Sequence, residues 1–484
     1  MSQEIRNLEP KALWNKFADL NAVPRPSKKE ERVIEFIKNF GNNLGLETFE
    51  DEIRNVIIRK TATPGMENRK ALVLQGHLDM VHQKNSDTIF DFDKQGIDMY
   101  VDGDWVRARG TTLGADNGLG VAMIMAILES TTIKHPAIEA LFTIDEETGM
   151  TGALNLKGGI LNGEILLNMD TEEDDEIDIG CAGGIDVTAT RKYNEEETPE
   201  GSVGYTITVK GLNGGHSGMD IHKGLGNANK IMNRLLFDGF ENFGLQVAEI
   251  NGGSLRNAIP RESVAKIIVA KMYDEAYVFD MQEIINDIKN EYKTTEPNLV
   301  IEITKSELPS KVMDLGVQEG IIRSIYAAHN GVYRMSPDIV GLVETSSSLA
   351  RIIIKDGSFV SQSLQRSSVE STKREVCMVM RGAFENAGCH VEQTGDYPGW
   401  KPNPNSGILN VMENLYHELF NEKAKVKACH AGLECGILGK HLPGVDMISF
   451  GPNIRAAHSP DEKVQISSVQ KFWNYYLETF KRIA

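Results

Sequence analysis

His77 and Asp79 stand just past the apolar run ALVLQ, separated from it by one glycine. An imidazole and a carboxylate two positions apart at the end of a buried strand can hold a metal ion and orient its ligand, or move a proton. Similar groups recur along the chain: AIEALFTI runs into Asp145-Glu146-Glu147, and EILLNM runs into Asp170. TTLGADNGLG sets Asp116 just before a helical stretch, and GPNIRAAHSPDE sets His458 beyond the last apolar run. A single histidine at a strand end is more often a polar cap than a ligand, and TEEDDEID alone reads as a solvated acidic loop. The repetition on successive apolar runs is what favours chemistry, because the carboxyl ends of the strands in an open α/β sheet share one crevice.

His77, Asp116, Glu147, Asp170 and His458 have the donor types of a zinc or cobalt site. Five ligands exceed what one tetrahedral catalytic ion needs if a position is to stay open, so two ions sharing one carboxylate are expected, with Asp116 in its glycine-rich loop as the bridge. The expected cofactor is Zn2+, two per chain, with Co2+ or Mn2+ as substitutes. Asp79 is expected to accept a hydrogen bond from the second nitrogen of His77 and fix its tautomer. Glu146, beside Glu147 but projecting differently, is left as the general base on the attacking water. Other chemistries lack their motifs: there is no H-E-x-x-H, G-x-S-x-G or phosphate-binding loop, and glycines 114, 118 and 120 do not make G-x-G-x-x-G. Cys181 and Cys429 read as inert thiols.

The elements that must position these groups follow from patterning. Continuous apolar runs such as NVIIRK, ALVLQ, AIEALFTI and EILLNM predict strands covered on both faces, hence an α/β domain with a mostly parallel sheet under helices. Before them, Ser27-Lys28-Lys29-Glu30 reads as a capping box opening a helix with Val33, Ile34, Ile37 and Phe40 inside, closed by Gly41. From about Gly184 the strands shorten and alternate (VGYTITVKGL, VAKIIVAKM), as antiparallel strands with one solvated face do. DYPGWKPNPNS marks a linker, after which α/β character returns. The expected organisation is a catalytic metal-binding domain in two parts, 1–183 and 400–484, with an α+β lid, 184–399, inserted. A faint Ser-Leu repeat followed by a β-rich segment hints that the lid holds two similar lobes, expected to be ferredoxin-like.

The chain has 484 residues and 41% hydrophobic content, enough for two domains. Its net charge of −18 argues against nucleic acid or an anionic membrane surface as partner. Five cysteines without a C-x-x-C pair signal neither a disulfide framework nor a thiolate zinc site, and the polar start MSQEIRNLEPKALWNKF is no signal peptide. A cytoplasmic enzyme is the expectation.

The ordered motifs GHLDMV, GADNG, DEETGMTGA, NMDTEE and HSPDE resemble those of the bimetallic metallopeptidases that include aminoacylases, glutamate carboxypeptidases and dipeptidases. Within that family the chain is similar from end to end to the bacterial aminoacyl-histidine dipeptidases. The resemblance implies one ion on His77, Asp116 and Asp170, a second on Asp116, Glu147 and His458, and Asp79 and Glu146 in the roles given above. It also implies that His216 in GGHSG, otherwise a turn residue, reaches the scissile carbonyl. In related dipeptidases an arginine after an Asn/Thr-x-Ile-Pro strand clamps the substrate carboxylate. Here Asn257 opens NAIP, but Ala270 stands where that arginine would be, and Arg366 in SLQRSS is the expected substitute. The implied reaction is hydrolysis of dipeptides with a free N-terminus, Xaa-His or broader. The alternatives are an N-acyl amino-acid deacylase or carboxypeptidase with the same site, or a non-catalytic metal-binding protein. A homodimer is compatible with the resemblance. The insert is long enough for two lobes, so His216 is expected to serve its own chain.

Overall fold

The computed structural model describes residues 3–484, so the first two residues of the polar N-terminal stretch lie outside it. The chain divides into two compact units. Among the described residues, one comprises the chain up to Gly180 with Trp400–Ala428 and Leu433–Ala484; the other comprises Cys181–Gly399 with the short segment Cys429–Gly432.

The first unit is built on an eight-stranded sheet. Strand Leu72–His77 lies at its centre, parallel to Ile138–Thr143 on one side and to Ile165–Asn168 on the other, and Asp446–Ser449 continues the parallel set. All six residues of Leu72–His77 are buried, as a strand with parallel neighbours and covered faces requires. Val56–Lys60 joins Ile138–Thr143 antiparallel, and Glu176–Cys181 joins Asp446–Ser449 likewise. The helix Ala115–Glu129 is apolar all round because it is buried all round, packed between the central strand and the helix Lys11–Leu20.

The capping box does not form. Helix Glu31–Asn43 begins at Glu30 without a side-chain cap, and the Ser27 hydroxyl instead donates to Asp79 Oδ2 (2.8 Å). Lys28 at φ 72 breaks the N-terminal turn that the box needs. The helix also runs past Gly41, whose missing side chain leaves room for Thr48 and Ile58 beneath it.

The second unit carries a nine-stranded antiparallel sheet made of two lobes. In one, strands Ser202–Lys210, Gln246–Gly252, Ser263–Ala270 and Val300–Lys305 stand in the order fourth, first, third, second, with helices Ala228–Phe243 and Asp274–Tyr292 between them in sequence. This is the β-α-β-β-α-β ferredoxin-like arrangement. The other repeats it with Gly183–Lys192, Val343–Lys355, Ser358–Ser367 and His390–Tyr397 and helices Leu315–Ala327 and Glu370–Glu385. The first lobe is thus inserted after the opening strand of the second. Their second strands pair antiparallel, Ile250 opposite Ile354 and Gly252 opposite Ile352, and one apolar core runs beneath both. The segment read as a linker begins inside a strand: Asp396 is tied to the buried Lys373 Nζ at 2.7 Å. No helix among the described residues is long and apolar enough to cross a membrane.

Candidate active site

The strand ends of the first unit bring His77, Asp116, Glu146, Glu147, Asp170 and His458 together. His77, Asp116 and Asp170 place one ligand atom each within 4.8 Å of one another, and so do Asp116, Glu147 and His458. His77 Nε2 lies 3.1 Å from Asp116 Oδ1 and 3.5 Å from Asp170 Oδ1. His458 Nε2 lies 3.2 Å from Asp116 Oδ2 and 3.0 Å from Glu147 Oε2. Asp116 therefore offers one oxygen to each triad. Glu146 joins His77 and Glu147 in a third grouping, and the Asp116–Asn117 peptide is cis.

These residues fit a pair of cations. A single ring proton on Nε2 cannot satisfy two carboxylates, and Glu147 Oε1 is buried without a hydrogen-bond partner. Four carboxyl groups face two imidazoles; His77, Asp170 and the Glu147 side chain are shut off from water, while His458 is about half exposed. Burial pushes the Glu146 carboxyl well above its usual range, opposed by His77 and reinforced by Asp170 and Glu147. Burial opposes the charge of His77, yet its hydrogen bonds to Asp116 and Asp170 push the imidazole well up. The bonds to Asp116 and Glu147 raise His458 to about 11. Positive charge is what the cluster calls for, from protons or from metal.

Asp79 is fully buried and serves more neighbours than the sequence suggests. His77 Nδ1 is 3.4 Å from its Oδ1, but the nearer acceptor is the Asp79 carbonyl oxygen at 3.2 Å. The carboxylate also accepts the backbone N–H groups of Glu146 (3.0 Å) and Glu147 (3.2 Å), so it holds the turn that carries both glutamates.

Three side chains went unread in sequence. Asn117 donates to Asp170 Oδ1 at 2.6 Å, Glu434 accepts from Gln75 (2.6 Å) and Thr143 (2.7 Å) on two strands that carry site residues, and Glu462 accepts the amides around Asp116. Asn117 and Glu462 sit inside the GADNG and HSPDE motifs, so the motifs were the available signal, but their partners lie far away in sequence.

In the second unit, Gly215–His216 pairs with Ala258–Ile259, and Ser217 N donates to Asn257 O at 2.8 Å, which brings His216 and Asn257 onto neighbouring segments. Asn257 is exposed. His216 Nδ1 accepts the N–H groups of Gly218 (3.2 Å) and Met219 (3.0 Å), so its proton sits on Nε2. Burial and the neighbouring Arg366 push its pKa down to about 4, which keeps it neutral. Arg366 Nη2 lies 3.4 Å from that Nε2. Arg366 is 4% exposed and, among the described residues, forms no ion pair with a carboxylate; Nη1 donates to the Tyr397 hydroxyl at 3.0 Å. Arg366 Nη2 and His216 Nε2 are both donors, and Arg366 Nε and Nη2 each also reach Ser217 Oγ at 3.4 Å. Ala270, exposed at the end of its strand, offers no such group.

Over 484 residues the chain is 43% identical to the cytosol non-specific dipeptidase of Escherichia coli (strain K12), covering 99% of each protein. The crystal structure of the aminoacylhistidine dipeptidase from Vibrio alginolyticus superposes with a TM-score of 0.93 at 42% identity, covering 99% of this chain and 98% of that one. A tripeptidase from Staphylococcus aureus, at 16% identity and a TM-score of 0.57 over 98% of this chain and 99% of its own, shares the fold. The model of peptidase family M20/M25/M40 matches residues 73–482, a span that holds both triads from His77 to His458, and the chain belongs to that family.

Proposed function

We propose that this peptidase hydrolyses dipeptides with a free N-terminus, with two divalent cations, zinc first among them, held by His77, Asp116 and Asp170 and by Asp116, Glu147 and His458. The observation that carries the reading is the pair of triads sharing Asp116 with Glu146 beside them. The two relatives above are dipeptidases by name, and the location in the name of the Escherichia coli protein is extended here to a cytoplasmic chain.

The cations, when bound, supply the charge that lowers the pKa of the attacking water and polarises the scissile carbonyl. Glu146 takes a proton from that water as its oxygen bonds to the carbonyl carbon. His216 donates from Nε2 to the oxygen on which negative charge develops. Glu146 then passes the proton to the leaving amine as the C–N bond breaks. Asp79 holds both His77 and the Glu146–Glu147 turn, and Arg366, with Asn257 nearby, receives the substrate carboxylate.

A panel of dipeptides, their N-acetyl forms and their C-terminal amides, assayed on zinc-loaded, chelated and re-metallated protein, tests the proposal. Hydrolysis of the free dipeptides, lost on chelation and regained with metal, is expected. Preference for the N-acetyl forms would make the chain a deacylase, and no turnover in any metal form would refute the enzymatic reading.

A further inference from the structure

Four consecutive backbone N–H groups converge on one buried carboxylate. Glu462 Oε2 accepts from Leu113 at 2.7 Å and Gly114 at 2.9 Å, and Oε1 accepts from Ala115 at 2.7 Å and Asp116 at 3.3 Å. Gly114 at φ +69 turns the chain so that successive amides face the same way, forming an anion-binding concavity at the start of the helix Ala115–Glu129. These are amides that no carbonyl of the helix itself can satisfy, and Glu462, 3% exposed, satisfies them from more than 300 positions away in sequence. On the opposite side of the loop the buried Arg25 donates to Gly114 O at 2.6 Å and to Leu78 O and Asp79 O at 3.2 and 3.0 Å. The Asp116 loop is thus gripped through its N–H groups by Glu462 and through a carbonyl by Arg25, which ties it to the turn after His77.

Glu462 is also four residues past His458. One short segment therefore presents an imidazole to Asp116 Oδ2 and a carboxylate to the Asp116 backbone. We infer that Glu462 is a positioning residue for both cations: it fixes the backbone of the shared ligand Asp116 and, through its own loop, the place of His458. The inference rests on the two-triad ligand reading. It separates from a purely local role by a simple consequence. An anchor for the His458 loop alone would matter to one ion, whereas a clamp on the bridging aspartate matters to both.

The test counts ions rather than turnover. Wild type, Glu462→Ala, Glu462→Gln and, as a one-site reference, His458→Ala are stripped with chelator, checked for folding by far-UV circular dichroism, and titrated calorimetrically with Mn2+. Glu462→Gln is the fallback if the alanine variant fails to fold, since its remaining oxygen keeps two of the four bonds. Affinity at both sites is expected to fall about 10- to 100-fold in the Glu462 variants, as for other groups that hold metal ligands in place. His458→Ala is expected to lose one ion. Formate, small enough to enter the vacated concavity, should restore tight binding to Glu462→Ala and leave His458→Ala unchanged. A folded Glu462 variant that binds two ions as wild type does, or that loses one ion only, overturns the inference alone. A wild-type chain that takes up fewer than two ions overturns the ligand reading and the inference with it.

Discussion

Tyr397→Phe should weaken recognition of the substrate carboxylate without removing any group assigned to the reacting atoms. Of the bonds that Arg366 makes, the one to the Tyr397 hydroxyl is 3.0 Å long, while both contacts with Ser217 Oγ are 3.4 Å, at the weak end of the range. Tyr397 itself is held firmly: the buried Lys373 donates to its carbonyl at 2.7 Å, and its ring lies against Gly184, where an added Cβ would fall 2.6 Å from the hydroxyl. Removing the hydroxyl therefore frees one arm of the guanidinium without moving the strand. A hydrogen bond to a charged group contributes about 1.5–3 kcal/mol, and each 1.4 kcal/mol is a factor of ten, so the lost positioning of Arg366 should raise KM for a dipeptide by at most roughly 10- to 100-fold, more than it lowers kcat. The assay compares a dipeptide with its C-terminal amide on wild type and variant. The amide, which has no carboxylate for Arg366, should show the same KM on both, so the preference for the free acid collapses. Equal losses for acid and amide, or none for either, would refute the chain of reasoning from Tyr397 through Arg366 to the carboxylate.

Glu146→Gln should keep both ions yet lose about 10²- to 10⁴-fold in turnover, because an amide cannot accept the water's proton; metal loss in parallel would make Glu146 a ligand. Asp116→Ala should lose both ions in elemental analysis, since it removes the shared donor. Burial raises the Asp178 carboxyl from 3.8 to about 6, so the stability it contributes is present below its unfolded pKa and is lost as pH rises through about 6. Asp178→Asn should then stabilise the chain at pH 7 by up to about 3 kcal/mol and change little at pH 4, read from denaturant midpoints at the two pH values. On the expectation that each chain's own His216 serves its site, mixing His216→Ala with Glu146→Gln under subunit exchange should restore no activity; recovery would show donation between subunits.

The groups at the strand ends could be read from the sequence because burial makes them conspicuous. A carboxylate or histidine at the end of an apolar run such as ALVLQ or EILLNM costs free energy unless something compensates it, so several together point to shared chemistry. The same patterning separates the two kinds of sheet, since residues covered on both faces lose the period-two alternation that VGYTITVKGL keeps. Local pattern failed where a distant partner competed. Ser27 stands where a helix cap would, but the buried Asp79 takes its hydroxyl, and the helix starts without it. In VETSSSLA the polar Thr345, Ser346, Ser347 and Ser348 are all buried, and Ser346 Oγ meets His430 Nε2 at 2.8 Å. The split ferredoxin-like lobe, the amide concavity closed by Glu462 and the bond from Asn117 to Asp170 likewise join residues 50 to 350 positions apart. Residue types and local spacing carry the cost of burial and the intrinsic preferences of the backbone, and these are properties of a segment. Which donor finds which acceptor is decided by the packing of segments, and that only the tertiary structure contains.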